Sequence, residues 1–258
     1  MSSIELQALI FDVDGTLADT ERDGHRVAFN RAFADAGLDW HWDINRYGEL
    51  LAVTGGKERI RYDLSQTRPE WLTRPDIDTL IAQLHQAKTR HYVALGNAGA
   101  LPLRPGVARL VNEARQAGLR LAIATTTTLD NVSVLLERAL GPGSAAWFEC
   151  IGAGDVVAAK KPAPDIYLWV LQQLQIKPEA CLAFEDSENG LRAAQAAGLA
   201  TIVTINAYTD GQDFAGALAV LSDLGENTEP YRRLAGAGPD RGTVAVPVLR
   251  RWHSANAA

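Results

Sequence analysis

Cysteine is scarce in this chain of 258 residues: there are two, Cys150 and Cys181, both in apolar surroundings. So small a count reads as buried hydrophobes rather than a disulfide framework or a thiolate metal site. Positive charge is also in deficit, the formal net charge being −6. That leaves no electrostatic footprint for nucleic acid or for a membrane surface, and neither is expected as a partner. No apolar run is long enough to span a bilayer, and the opening Met-Ser-Ser-Ile-Glu-Leu-Gln lacks the regions of a secretory leader. A cytoplasmic protein is expected, and a monomer.

What the chain does have is an alternation of apolar strands and amphipathic helices. Leu9-Ile10-Phe11 is short, apolar and strand-like. From about Thr20 to Leu103 no convincing strand follows; Val27, Phe29, Phe33 and Leu38, and later Ile77, Leu80, Ile81 and Leu84, fall near helical spacing. At Arg104 the pattern changes. Pro105-Gly106 opens a helix with Val107, Leu110, Val111 and Ala114 on one face, and strands follow at 119–124, 181–184 and 200–203, separated by helices. Such alternation predicts an α/β fold, a parallel Rossmann-like sheet with right-handed crossovers, interrupted by a helical insertion. The expected boundaries are a core of residues 1–19 plus 104–225, an insertion of residues 20–103, and a tail of residues 226–258 that is left without a structure, save a short edge element over 244–249.

In parallel sheets of this kind chemistry gathers where strands end. The first strand ends in Asp12-Val13-Asp14-Gly15-Thr16-Leu17. Two carboxylates so close repel one another unless a cation or bound chemistry compensates them. The spacing suits one acid as Mg²⁺ ligand and nucleophile and the other as a proton carrier. After 119–124 comes Thr125-Thr126-Thr127-Thr128, hydroxyls and amides ahead of a helix; this is either a phosphate cradle or simply a good strand end. Lys160-Lys161-Pro162-Ala163-Pro164-Asp165 holds a lysine out of a helix and gives it a fixed direction. Phe184-Glu185-Asp186-Ser187 adds two more acids at a strand end, with Ser187 placed to cap the next helix.

Together these segments, over roughly residues 6–224, resemble the haloacid dehalogenase-like phosphohydrolases. The resemblance implies an aspartyl-phosphate on Asp12, with Asp14 as general acid and base. It implies that Thr125 binds the transferring phosphate with Thr126 and Thr127 beside it, and that Lys161 neutralises the phosphate and orients Asp12. Mg²⁺ would be held by Asp12, the Asp14 carbonyl and Asp186, with Glu185 beside or among the ligands. To protonate a leaving alkoxide, Asp14 is expected to have its pKa raised by its neighbours. Dehalogenases of the group lack the second aspartate, which disfavours that activity.

The insertion then resembles the helical cap that selects the substrate and excludes water. In it Thr54-Gly55-Gly56-Lys57-Glu58-Arg59 forms a glycine turn into a helix with basic side chains, either a clamp for a second phosphate or a plain helix start. Gly56, Lys57, Arg59 and Lys88 are candidate substrate contacts, as are Glu21 and His25 at the entry to the cap. Trp40 and Trp42 read as cap core rather than as a substrate platform. The cap resembles that of the CbbY-type phosphatases associated with the Calvin cycle, on Gly37-Leu-Asp-Trp-His-Trp-Asp43, Thr54–Arg59 and Ala158–Asp165. That resemblance implies a sugar bisphosphate as small-molecule substrate, xylulose 1,5-bisphosphate, an inhibitory by-product of Rubisco. A β-phosphoglucomutase-like sugar-phosphate mutase is the rival. Related mutases carry a histidine where this chain has Gly24, and His25 comes one place late, which disfavours that activity. A phosphonatase would need a cap lysine for a Schiff base, for which Lys57 and Lys88 are available. A non-catalytic sugar-phosphate sensor should have lost one of Asp12, Asp14, Lys161 or Asp186, and all four are present.

Overall fold

A computed structural model describes residues 4–256. Among them eight strands form one sheet, in the order β3-β2-β1-β4-β5-β6-β7-β8. These are β1 (Ala8–Phe11), β2 (Arg120–Ala124), β3 (Cys150–Gly152), β4 (Cys181–Glu185), β5 (Ala200–Thr204), β6 (Ala219–Leu221), β7 (Tyr231–Gly236) and β8 (Arg241–Gly242). The first six pair in parallel and the last two antiparallel. All four residues of β1 are wholly buried, as expected of a central parallel strand covered on both faces. The order reverses at β1, which lies between β2 and β4 with Phe11 level with both Ile123 and Phe184. A crevice forms at such a switch point, so the residues after Phe11, Ala124 and Phe184 open into one place.

The insertion is helical: a π-turn (Glu21–His25) running into α1 (Arg26–Asp35), then α2 (Ile44–Leu50), α3 (Gly56–Thr67) and α4 (Ile77–Asn97). Their inward faces form a separate apolar cluster that includes Phe29, Phe33, Tyr47, Leu64 and Leu84. Trp40 and Trp42 are buried in it, as cap core. No helix among the described residues is long and apolar enough to cross a membrane. In the core, α5 (Val107–Gln116) buries the face formed by Val107, Leu110, Val111 and Ala114. The remaining core helices are α6 (Leu129–Ala139), α7 (Asp165–Leu174) and α8 (Glu188–Ala196), the last capped by the Ser187 side chain accepting from Gly190 N.

Two connections join cap and core, and they meet. Ala18 bridges to Leu103, and Arg104 N donates to Leu17 O at 2.8 Å. The Arg104 guanidinium, 7% exposed, donates to the carbonyls of Gly15, Thr204 (2.9 Å), Ile205 and Ser222 (2.8 Å) and lies 3.3 Å from Asp19. One buried cation thereby ties both connections to the ends of β5 and β6.

The tail differs from expectation. Residues 244–249 are not an edge strand: Val246 opens the helix α9 (Val246–Asn256), and the edge is supplied by β7 and β8. Val246, Leu249 and Trp252 enter the main core cluster, and Glu113 on α5 accepts from Val246 N at 3.0 Å. Because Leu249 is wholly buried, Leu249→Ala should cost about 2–5 kcal/mol of stability by chemical denaturation. An unchanged midpoint would mean that α9 docks without stabilising the core.

Candidate active site

Lys161 organises the base of the crevice. It lies 5% exposed, with Nζ 2.7 Å from Asp12 Oδ1 and 2.5 Å from Glu185 Oε1. Tyr167, on α7, donates its hydroxyl to the same Glu185 oxygen. Burial works against the Lys161 ammonium, but Asp12 and Glu185 outweigh it and hold its pKa above the ordinary value. For Asp12 burial is also the largest influence; with Glu185 and Asp186 it pushes the carboxyl well up, against the pull of Lys161. Burial and Glu185 push Asp186 up to about 8, while Asn206 donates to its Oδ2 at 2.7 Å.

Asp12, Glu185 and Asp186 each offer an oxygen within 4.8 Å of the others. Three buried carboxylates thus face one ammonium. The donors are hard oxygens carrying uncompensated negative charge, which fits Mg²⁺ rather than a soft metal. The backbone is shaped around these carboxylates. At Gly15 (φ +88°) a Cβ would fall inside the Asp186 carboxylate, and at Gly190 one would fall inside that of Glu185.

Asp14 departs from expectation. Burial raises its pKa, but His25, the Thr20 hydroxyl and Lys88 together outweigh it and bring the carboxyl down to about 2. Its neighbours are cations and donors, not acids, so Asp14 is held ionised here instead of being raised. His25 Nε2 sits 2.7 Å from Asp14 Oδ1, close but out of line for a hydrogen bond. The histidine comes within reach because Glu21–His25 is a π-turn, which takes one residue more than an α-turn. The late position of His25 thus does not keep it from Asp14.

Thr125 is buried at the end of β2, its hydroxyl accepting from Thr127 N at 3.3 Å. One lobe of the cleft is lined by Asp12, Asp14, Glu21, Arg59, Thr125, Thr126, Lys161, Glu185 and Asp186. A second lobe, toward the cap, is lined by Asp14, Glu21, His25, Gly56, Arg59, Lys88, Thr126 and Thr127. Lys88 lies over the rings of Phe29 and Tyr92, and burial lowers its pKa to about 8 against the opposing pull of Asp14 and Glu21. Every candidate therefore meets in the cleft except Lys57. Its ammonium turns away to Asp155 on the core at 2.7 Å, a carboxylate that Lys160 also holds at 2.8 Å.

Several cleft residues escaped the sequence reading. Asn206, Tyr208 and Thr209 follow β5, and Asn189 reaches from α8 to the Thr54 hydroxyl and the Ala52 carbonyl of the cap. The signal for the first three was available: they stand where a parallel strand ends, as the acids do.

Such a fold and site define a phosphoryl-transfer hydrolase with a helical cap. A family model described as haloacid dehalogenase-like hydrolase matches residues 6–198, and the chain belongs to that family. Among its relatives are CbbY proteins. "Protein CbbY, plasmid" of Cupriavidus necator is 50% identical over 96% of this chain and 97% of its own length. "Protein CbbY" of Rhodobacter capsulatus is 52% identical over 86% of this chain and 95% of its own. A crystal structure of a CbbY variant from Rhodobacter sphaeroides in complex with xylulose-(1,5)bisphosphate has a TM-score of 0.78 and 48% identity, covering 86% of this chain and 98% of that one. The protein is accordingly an enzyme, a phosphatase of the haloacid dehalogenase-like hydrolases.

Removing the imidazole beside Asp14 leaves burial less opposed. In His25→Asn the Asp14 carboxyl, followed by NMR titration, should move up from about 2. An unmoved titration would uncouple the two residues. The same shift has a sign for stability. A carboxyl whose pKa is depressed on folding stabilises the fold above its unfolded value of 3.8, and loses that effect as pH falls toward 2.

Proposed function

We propose that the protein is a Mg²⁺-dependent phosphatase that converts xylulose 1,5-bisphosphate to xylulose 5-phosphate through an aspartyl-phosphate on Asp12. The observation that carries this reading is the buried Asp12 carboxylate, 2.7 Å from Lys161, facing a cap that carries Arg59 and Lys88 into the same cleft. The CbbY relatives, and the R. sphaeroides structure holding xylulose bisphosphate, support the choice of substrate.

In this mechanism Lys161 fixes Asp12 Oδ1, leaving the other carboxylate oxygen to attack phosphorus in line. The phosphorus–oxygen bond to the sugar breaks, and Asp14 protonates the departing oxygen. Asp14 then takes a proton from the water that cleaves the aspartyl-phosphate, which regenerates both carboxyls. Its ionised state beside His25 matches this second half; in the first, it must gain a proton from the substrate phosphate or from water before attack. Thr125 and the Thr126 and Thr127 amides bind the transferring group, and Arg59 and Lys88 take the second phosphate. Mg²⁺, held by Asp12, Asp186 and the Asp14 carbonyl with Glu185 beside them, would neutralise charge on the phosphoryl oxygens.

A second reading, the sugar-phosphate mutase, is favoured by the approach of His25 to Asp14. One screen separates the two: phosphate release with Mg²⁺ from xylulose 1,5-bisphosphate, ribulose 1,5-bisphosphate and β-glucose 1-phosphate. Release greatest from xylulose 1,5-bisphosphate and abolished in Asp12→Asn is expected. Isomerised glucose phosphate without release would establish the mutase, and near-normal turnover by Asp12→Asn would remove the aspartyl-phosphate.

The metal has its own test. Asp186, with a folded pKa of about 8 against 3.8 unfolded, favours the fold when protonated, and that contribution is lost as pH rises through 8. Mg²⁺ competes with this proton. It should therefore raise the melting temperature more at pH 8 than at pH 5. An equal shift at both would place the ion elsewhere.

A further inference from the structure

Tyr208 belongs to the core, in the loop after β5, yet its ring packs into the cap's apolar cluster. It meets the Tyr47 ring edge-on, centroids 6.2 Å apart at 62°. Beside Tyr47 on α2 is Gly48, where an added Cβ would come 3.0 and 3.1 Å from Cδ1 and Cε1 of Tyr208. The cap thus presents a seat, floored by a glycine, for one ring of the core. The Tyr208 hydroxyl is buried and has no hydrogen-bond partner among the described residues. It is the ring, not the oxygen, that makes this contact.

Tyr47 carries the contact onward into the cleft. It is wholly buried, donates its hydroxyl to Glu21 Oε2 and accepts from Arg59 Nη1 at 2.8 Å. The Arg59 guanidinium also lies 5.1 Å over the Tyr47 ring. Its other contacts are longer: Val53 O at 3.4 Å and Glu21 Oε2 at 3.8 Å. A buried guanidinium with one short partner is placed by that partner, since leaving it unpaired is costly.

We propose that Tyr208 is a positioning residue: seated on Gly48 and Tyr47, its ring sets the Tyr47 hydroxyl that holds Arg59 in the cleft, so that cap and core must close on each other before the guanidinium is in place. This rests on the reading of Arg59 as a substrate contact. Neither Gly48 nor Tyr208 needs to touch the reacting atoms.

The test measures kcat and KM on xylulose 1,5-bisphosphate and on glucose 1-phosphate, with melting temperatures alongside. Tyr208→Ala should lower kcat/KM about fivefold to tenfold, the worth of one well-packed aromatic contact. The loss should show the same preference between the two substrates as that of Arg59→Ala, and the double variant should be no worse than Arg59→Ala alone. Tyr208→Phe should recover most of what Tyr208→Ala loses. Gly48→Ala approaches from the cap side. It should lower kcat/KM about threefold through crowding, without lowering the melting temperature, because alanine favours the helix. In a Tyr208→Ala background the same change should cost nothing further. Wild-type kinetics in Tyr208→Ala, additive losses with Arg59→Ala, or a Tyr208→Phe as impaired as Tyr208→Ala would each overturn the proposal. Equal losses on both substrates in Arg59→Ala would overturn only the bisphosphate reading, and non-additivity would still decide the role of Tyr208.

Discussion

The site rests on one buried ammonium shared between two buried carboxylates. Lys161 reaches Asp12 and Glu185 from a third direction, beyond the ends of the strands that carry them. Without it, three acids would meet in a desolvated crevice with nothing to balance them. With it, one ammonium still undercompensates the three acids, which is why Asp12 and Asp186 are pushed up and why the cluster suits a further cation. The surrounding backbone accepts this arrangement at a conformational cost, with a left-handed glycine at position 15 where Asp186 crosses.

Two aspartates separated by one residue end up in opposite electrostatic states. Asp12 faces other acids and is pushed up; Asp14 faces an imidazole, a hydroxyl and a cap lysine and is pulled down. The difference comes from their surroundings: Asp12 meets Lys161, Glu185 and Asp186 of the core, whereas Asp14 meets Thr20, His25 and Lys88. The division of labour between nucleophile and proton carrier is thus also a division between core and cap, because His25 and Lys88 both belong to the insertion.

The sheet and the core motifs were legible because acids, hydroxyls and a proline-framed lysine at the ends of apolar runs add nothing to packing there. The short strands were not: β3 and β6 span three residues each, too few to display a period. The tail failed for another reason, since the register of β7 and the docking of α9 depend on partners far away in the chain, such as Glu113 for Val246. Lys57 was misplaced because spacing on a helix says which side chains are near one another, not which carboxylate across a domain boundary will take them. The place of the histidine was not legible by counting, because the π-turn that brings His25 to Asp14 has no sequence period of its own.

Arg104 bears on how the cap is joined to the core. Its guanidinium gathers the outgoing connection at Gly15 and Asp19 and the ends of β5 and β6, while its own backbone belongs to the returning connection. Both chain crossings are therefore fastened at a single buried point, and that point adjoins the loop bearing Asp14. The two crossings of the chain thus share one anchor, and that anchor is a side chain: its loss would leave the carbonyls of Gly15, Thr204, Ile205 and Ser222 without their common donor.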